Sequence, residues 1–274
     1  MIKEHNDYEK NLISIFRSNY YYEHSHGFRH SLYLPESTNA KQVIWSICNE
    51  EDWKKWIDSS GKKEPTPDFY NDERKLMMEV MRVDDNAHFD KLTGKLINPI
   101  RAREHELIKS RTDEGVFKEF PQDCNLFITA NTQLPTEDDH NYLFYRDNFI
   151  RVIKKHQERI VSYTQNHPGY KLIFFVFDES TAYIKLANGR AKSSINMNGD
   201  DILGQIHFWW LDEVFINSIE DLEIDFLIWM APYKKANIKG GINVDLPETC
   251  IYDVRNMKLQ TIAYPERRMV SAEK

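Results

Sequence analysis

A glutamate surrounded by apolar residues places the tightest constraint on how this chain can fold. Glu79 lies in the run 76–83, where apolar side chains occupy both alternating sides of a strand: Leu76, Met77, Met78, Val80, Met81 and Val83. This pattern is typical of a strand covered on both faces of a sheet. An ionised carboxylate there costs several kcal/mol without a partner, so a cation, a metal ion or a hydrogen-bond network should accompany it.

A second carboxylate, Asp68, is predicted to lie close to Glu79. It follows Pro67 and precedes Glu79 by 11 positions, and the polar residues 71–73 between them favour a hairpin turn. Two carboxylates about 4 Å apart repel by roughly 4 kcal/mol at an effective dielectric constant near 20. A divalent cation bound by both would turn this repulsion into attraction.

The order Pro67-Asp68, a spacer and then Glu79-Val80 resembles the signature of the PD-(D/E)XK nuclease superfamily, except that Met81 stands where the family has its lysine. The resemblance implies an α/β fold, with a central mixed β-sheet flanked by helices as a restriction-endonuclease-like core with insertions. It also implies hydrolysis of phosphodiester bonds in DNA or RNA. Mg²⁺ or Mn²⁺ would be held by Asp68, Glu79 and the backbone carbonyl of Val80.

The replacement of the family's lysine by methionine calls for another cation. A thioether cannot position an attacking water or stabilise the transition state as that lysine does. Lys75 has the same strand parity as Glu79, whereas Arg82 should point to the opposite face. Other cations could replace the lysine or bind nucleic acid, and the sequence leaves the choice open: Arg101, Arg103, Lys109 and Arg111 in one cluster, and Lys154 and Lys155 in another.

The first helix could supply a further acid. The spacing of Leu12, Ile15 and Phe16 predicts an amphipathic helix over residues 6–22. Nucleases of the resembling superfamily often take an additional carboxylate from their first helix, and Glu9 or Glu23 could serve in that way. The ordinary alternative for either residue is a solvated helix charge.

Charge and cysteine content limit the partners and the compartment. A net charge of −7 argues against indiscriminate nucleic-acid binding, so phosphate contacts must come from a local basic patch. Cys48, Cys124 and Cys250 are few and far apart, which predicts a reducing cytoplasm. No run approaches the roughly 20 apolar residues that cross a bilayer, and the first residues lack the apolar core of a signal peptide. A protein partner or a homo-oligomer stays open.

The periodicity predicts a single α/β domain over residues 1–274, with an insertion at 86–124 and a flexible tail at 265–274. The predicted elements are a strand at 41–48, a short helix at 50–57, a helix from about 99 to 111, a long helix at 142–165, and buried strands at 170–177 and 224–231.

Three alternatives compete with the nuclease hypothesis. The first is a catalytically degenerate nuclease-fold protein that binds nucleic acid or protein, with exposed aromatic residues near Trp209 forming the interface. The second places a metal or nucleotide at Asp178-Glu179, because ligands of open α/β sheets bind beyond the carboxyl ends of strands. In the third, Glu79 pairs with a buried arginine or lysine and Asp68 only caps a turn.

Overall fold

The computed structural model describes residues 8–27, 31–59, 66–115, 140–186, 204–234, 236–238, 242–244 and 246–272. Its strands are Ser31–Leu34 (β1), Ile57–Asp58 (β2), Phe69–Asn71 (β3), Leu76–Val83 (β4), His88–Phe89 (β5), Leu96–Ile97 (β6), Lys171–Asp178 (β7), Tyr183–Leu186 (β8), Gly204–Ile206 (β9), Phe226–Met230 (β10), Ala236–Ile238 (β11), Ile242–Val244 (β12), Thr249–Asp253 (β13) and Met269–Ser271 (β14). Its α-helices are Tyr8–His26 (α1), Thr38–Cys48 (α2), Glu50–Trp53 (α3), Pro99–Asp113 (α4), Tyr142–Gln157 (α5), Ile160–Asn166 (α6) and Glu213–Glu220 (α7).

A seven-stranded mixed sheet forms the centre of the structure, with the strand order β1-β13-β10-β7-β4-β3-β2. The three middle strands β10, β7 and β4 are parallel, and the chain crosses from β4 to β7 through α5 and α6. Parallel neighbours require such a crossover, whereas the antiparallel pair β3 and β4 needs only a short turn. The predicted fold class, a mixed α/β sheet flanked by helices, is therefore confirmed.

Alternate residues of β4 face two separate hydrophobic cores. Met77 and Met81 pack in the core that includes residues of α5, α6 and α7, whereas Met78 and Val80 pack with residues of α1 and α2. Side chains two positions apart on a strand share a face. Glu79 has the parity of Met77 and Met81, so its carboxylate points toward the helices of the crossover.

The segment 41–48, predicted as a strand, is instead the greater part of α2. Ser37 caps this helix by accepting a hydrogen bond from the backbone N–H of Ala40 at 3.0 Å. Val43 and Ile47, four residues apart, are both buried against the sheet. The β-branched side chains indicated a strand, but the cap and the helical spacing of the apolar positions outweigh that local preference.

The long helix predicted at 142–165 is two helices, because residues 158–159 interrupt it. Neither residue is glycine or proline, so the sequence carries no conventional signal for the break. Residues 99–113 are helical, as predicted, and α4 has no buried residues, as expected of an inserted helix. Within the segment 265–274, predicted as a flexible tail, residues 269–271 form β14 and pair with β8.

Candidate active site

The β3–β4 hairpin brings Asp68 and Glu79 to the same level of the sheet. Its register pairs Phe69 with Met78, and continuing the ladder by one residue sets Asp68 opposite Glu79. Residues directly opposite each other in antiparallel strands have Cβ atoms about 5 Å apart. Asn71 stabilises the turn, since its Oδ1 accepts the backbone N–H of residue 74 at 3.0 Å. The predicted hairpin is confirmed.

Asp68 is a partly buried carboxyl group that lies close to other acidic side chains. Its Oδ2 accepts a hydrogen bond from the backbone N–H of Val80 at 2.7 Å, which fixes the side chain against β4. Burial, followed by the charge of Glu79, raises the pKa of Asp68 to about 8, with smaller contributions from Glu9 and Asp58. Asp68 therefore holds a proton in most molecules at neutral pH until a cation replaces it.

Glu79 is only 2% exposed, and its two carboxylate oxygens have different surroundings. Nδ1 of His156 lies 2.7 Å from Oε1, and a guanidinium nitrogen of Arg159 lies 3.7 Å from the same oxygen. Oε2 is buried and has no hydrogen-bond partner. Burial, the charge of Glu79 and a hydrogen bond to its side chain also raise the pKa of Tyr163. The contacts of Glu79 with His156 and Arg159 are thus both made by Oε1.

Of the two acids considered in α1, the structure places Glu9 near the pair. Oε2 of Glu9 is buried without a hydrogen-bond partner, and its charge contributes to the raised pKa of Asp68. Glu23 lies elsewhere, where it accepts a hydrogen bond from Ser31 Oγ at 3.0 Å. Glu9 therefore lies near enough to affect Asp68, but it does not complete a group of three carboxylates with Asp68 and Glu79.

A divalent cation at this pair of carboxylates would need water or substrate to complete its set of ligands. Orphaned oxygens on Glu79 and Glu9, together with the destabilised charge of Asp68, are the features that a bound cation would relieve. Across the described ranges, however, no three His, Cys, Asp or Glu side chains converge into a group able to hold a metal ion. Mg²⁺ usually needs only one or two carboxylates, because waters and substrate phosphates supply its other ligands.

Lys75, predicted to replace the motif lysine, lies at Tyr170 instead. Its Nζ is 3.5 Å from the Tyr170 hydroxyl and 4.8 Å from the centre of that ring. Lys75 precedes β4 in the turn with a φ of 52°, so the parity of the strand does not extend to it. Arg82 pairs with Glu179, which agrees with its predicted orientation away from Glu79.

The two predicted basic clusters lie at different distances from Glu79. Helix α4, which carries Arg101, Arg103, Lys109 and Arg111, is tied to the carboxyl end of β4 because the Asn98 side chain donates to Asp84. That end is roughly 15 Å along the strand from Glu79, and Arg111 is already paired with Glu114 at 2.9 Å. Lys154 and Lys155 are exposed on α5 beside His156, and they border a shallow surface groove.

The alternative site at Asp178-Glu179 is occupied by internal partners. Asp178 is fully buried and accepts hydrogen bonds from the Tyr145 hydroxyl at 2.6 Å and from Trp229 Nε1 at 2.9 Å. Glu179 forms the ion pair with Arg82. Asp178 and Glu179 therefore form internal hydrogen bonds and an ion pair at the end of β7. Trp209, predicted to lie near an exposed interface, is likewise fully buried in the core.

Sequence reasoning missed the two side chains that contact Glu79 from the crossover, His156 and Arg159. A signal for His156 was present, because the helical period places it in one apolar stripe with Phe149, Ile153 and Ile160. An imidazole at the end of a buried stripe indicates a polar partner in the interior. Nothing comparable distinguishes Arg159 from the other cations of this segment.

Among the described residues, no helix combines the length and the apolar composition needed to cross a membrane. Comparisons of the chain with protein-family models, curated proteins and solved structures find no match.

Proposed function

We propose that this protein is a metal-dependent nuclease-like enzyme that hydrolyses phosphodiester bonds in DNA or RNA, with Asp68 and Glu79 as its acidic pair. The observation that carries the proposal is the placement of these two carboxyl groups at one level of adjacent strands, electrostatically coupled and with Glu79 Oε2 lacking a partner. The mixed sheet with helices on both faces is the architecture that the resemblance to the PD-(D/E)XK superfamily implies.

In this proposal Asp68, Glu79 and the carbonyl of Val80 hold Mg²⁺ or Mn²⁺. The ion would lower the pKa of a bound water and offset charge that develops on the scissile phosphate. The protein's own contribution is orientation: the Val80 N–H fixes one oxygen of Asp68, and His156 fixes one oxygen of Glu79. Asp68 must release its proton for the pair to bind a cation, so metal binding should strengthen as pH rises toward 8.

The proposal is tested by incubating the purified protein with single- and double-stranded DNA and RNA in Mg²⁺, in Mn²⁺ and in EDTA. We expect cleavage of at least one substrate in the divalent ion and none in EDTA. Absence of cleavage on all four substrates with either ion would remove the hydrolase proposal. Cys48 and Cys250 are free and buried, so the assays are run in reducing buffer, which matches the cytoplasmic location that we propose from the low cysteine content.

A second candidate is the degenerate, binding-only protein, which two observations favour. Met81 replaces the motif lysine, and His156 already occupies one side of Glu79. This candidate predicts nucleic-acid or protein binding without cleavage and no change in melting temperature with Mg²⁺. The nuclease predicts a rise in melting temperature, because a ligand at a hundredfold its Kd stabilises the folded state by about 2.7 kcal/mol.

Reversing the charge of the α5 lysines should weaken nucleic-acid binding. Lys154 and Lys155 are exposed beside His156, so we expect the double variant K154E/K155E to bind an oligonucleotide more weakly and to lower the slope of log K against log salt by about 1 to 2. Fluorescence anisotropy at several salt concentrations measures this. The variant K109E/R111E on α4 should have the smaller effect, since Arg111 is already paired with Glu114. If K109E/R111E weakens oligonucleotide binding more than K154E/K155E does, the nucleic-acid surface lies on α4.

Asp68→Asn should change how stability depends on pH. The folded-state pKa of Asp68 is about 8, against about 3.9 in an unfolded chain, so the folded state binds this proton more tightly. The stability that the proton contributes is complete below pH of about 4 and is lost as pH rises through 8, at no more than about 1.4 kcal/mol per pH unit. The variant should therefore gain stability relative to the native protein between pH 5 and 8.

Urea unfolding at pH 5, 6.5 and 8 in EDTA measures this difference, with Asp113→Asn on the exposed end of α4 as the control. Excess Mg²⁺ at pH 8 should stabilise the native protein and leave Asp68→Asn unchanged. If the stability of the native protein and of Asp68→Asn depends on pH in the same way, the pKa of Asp68 is not raised in the folded state.

A further inference from the structure

Arg159 is the half-exposed cation beside the two carboxylates. It lies between α5 and α6, and its side chain makes no capping hydrogen bond to the helix that follows. One guanidinium nitrogen is 3.7 Å from Glu79 Oε1, and the charge of Arg159 interacts with both Glu79 and Asp68. Its side chain is nevertheless 48% exposed, so it reaches from the buried pair to solvent.

The ion pair with Glu79 uses only part of this arginine. His156 is the close partner of Glu79 at 2.7 Å, whereas the 3.7 Å contact of Arg159 exceeds a hydrogen-bond distance. A guanidinium carries five N–H donors in a planar fork. The neighbouring Tyr163 hydroxyl engages part of that fork, and the solvent-exposed part remains able to meet a ligand.

A phosphate is the ligand that this arrangement fits. Arg159 is the exposed cation beside the carboxylate pair, so it is available to a phosphodiester that would bind there. Arginine binds phosphate oxygens through two parallel hydrogen bonds and keeps its charge at every working pH. His156, with its side chain 13% exposed and engaged by Glu79, is a positioning residue by comparison.

We propose that Arg159 contacts the scissile phosphate and stabilises the negative charge that develops on it during hydrolysis. The inference rests on the proposed nuclease function, and it assigns to Arg159 the electrostatic role that the thioether of Met81 cannot perform. Met81 has the strand parity of Glu79 and faces the same core. A lysine introduced at position 81 is therefore placed to compensate for loss of Arg159.

The test compares R159Q, R159K and the double variant M81K/R159Q with the native protein. We expect R159Q to lower kcat by about 10² to 10³, R159K to retain an intermediate rate, and the double variant to recover part of the loss. The Mg²⁺-dependent rise in melting temperature should persist in R159Q, because the carboxylates remain. The matched control is R255Q: Arg255 is 57% exposed and also lies 3.7 Å from a carboxylate, that of Asp225.

Binding supplies a second measurement that does not need turnover. A fluorescein-labelled single-stranded 12-nucleotide DNA is titrated in Ca²⁺ at several salt concentrations, and R159Q should lower the salt slope by about 0.7, the value for one lost phosphate contact on a single strand. R255Q should leave the slope unchanged.

The outcomes separate the inference from the proposed function. If the native protein cleaves and R159Q cleaves equally well, the role of Arg159 is overturned and the nuclease proposal stands. If the native protein cleaves nothing, the nuclease proposal fails, and the salt slope decides whether Arg159 contacts phosphate. An unchanged slope in R159Q would then overturn the inference as well.

Discussion

Replacing Glu79 by glutamine should reduce metal-dependent phosphodiester cleavage by about a thousandfold. The substitution preserves the shape of the side chain and keeps an acceptor for His156 at the position of Oε1, which lies 2.7 Å from its Nδ1. It removes the negative charge and replaces the partnerless oxygen by an amide group. Initial rates measured at saturating Mg²⁺ on a labelled substrate give the effect directly.

Glu179→Gln is the matched control for this variant. Glu179 lies just beyond β7, the strand adjacent to β4, and pairs with Arg82, so it has no place in the proposed site. We expect its rate to equal that of the native protein. If Glu79→Gln and the native protein cleave equally fast, Glu79 is not part of the active site.

The variant Glu79→Gln should lose metal binding as well as cleavage. In the native protein, Mg²⁺ at a hundredfold its Kd should add about 2.7 kcal/mol to the free energy of unfolding. Glu79→Gln should lose this increment while its stability without metal stays close to that of the native protein, because the glutamine keeps the hydrogen bond to His156. If Glu79→Gln loses activity but Mg²⁺ still raises its free energy of unfolding by the full amount, Glu79 has a role other than metal binding.

The acidic half of the site could be predicted from sequence because it is local. Asp68 and Glu79 belong to one hairpin, and the alternation of apolar residues along β4 together with the polar turn fixes which residues face each other. The error at residues 41–48 has the same local origin. There, β-branched residues favoured a strand, but the Ser37 cap and the packing of Val43 and Ile47 against the sheet make the segment helical.

The sequence indicated a polar partner for the interior at His156, but which side chains of the crossover meet Glu79 depends on how α5 packs on the sheet and could not be predicted. His156 and Arg159 follow Glu79 by 77 and 80 positions, and both reach it only after the chain has crossed over the face of β4. The alternation of side chains along a strand pointed instead to Lys75. That residue lies in the turn before β4, so the alternation does not apply to it. No rule of strand or helix period specifies which cation of a crossover helix meets a given residue of the sheet.

Lys234→Met should destabilise the protein by about 3 to 5 kcal/mol, although it lies outside the proposed site. The ammonium is fully buried, 2.5 Å from Ser180 Oγ, 3.1 Å from the carbonyl oxygen of Thr181 and 3.5 Å from Asp178 Oδ2. Its charge also interacts with Asp85. Removing one partner of a buried ion pair leaves an uncompensated charge, which is why the expected cost is large. Urea unfolding at pH 7 measures it, with the exposed Lys54→Met as a control that should change little.

A double variant tests the physical cause of that loss. Asn at position 178 keeps an acceptor for the Tyr145 hydroxyl and Trp229 Nε1 but carries no charge, so D178N/K234M should be more stable than K234M alone. Burial lowers the pKa of Lys234, so the unfolded chain binds its proton more tightly than the folded one. The native protein should therefore gain stability relative to K234M as pH rises toward the ordinary pKa of lysine. If K234M costs less than about 1 kcal/mol, or if the double variant is no more stable, the buried ammonium does not compensate these carboxylates.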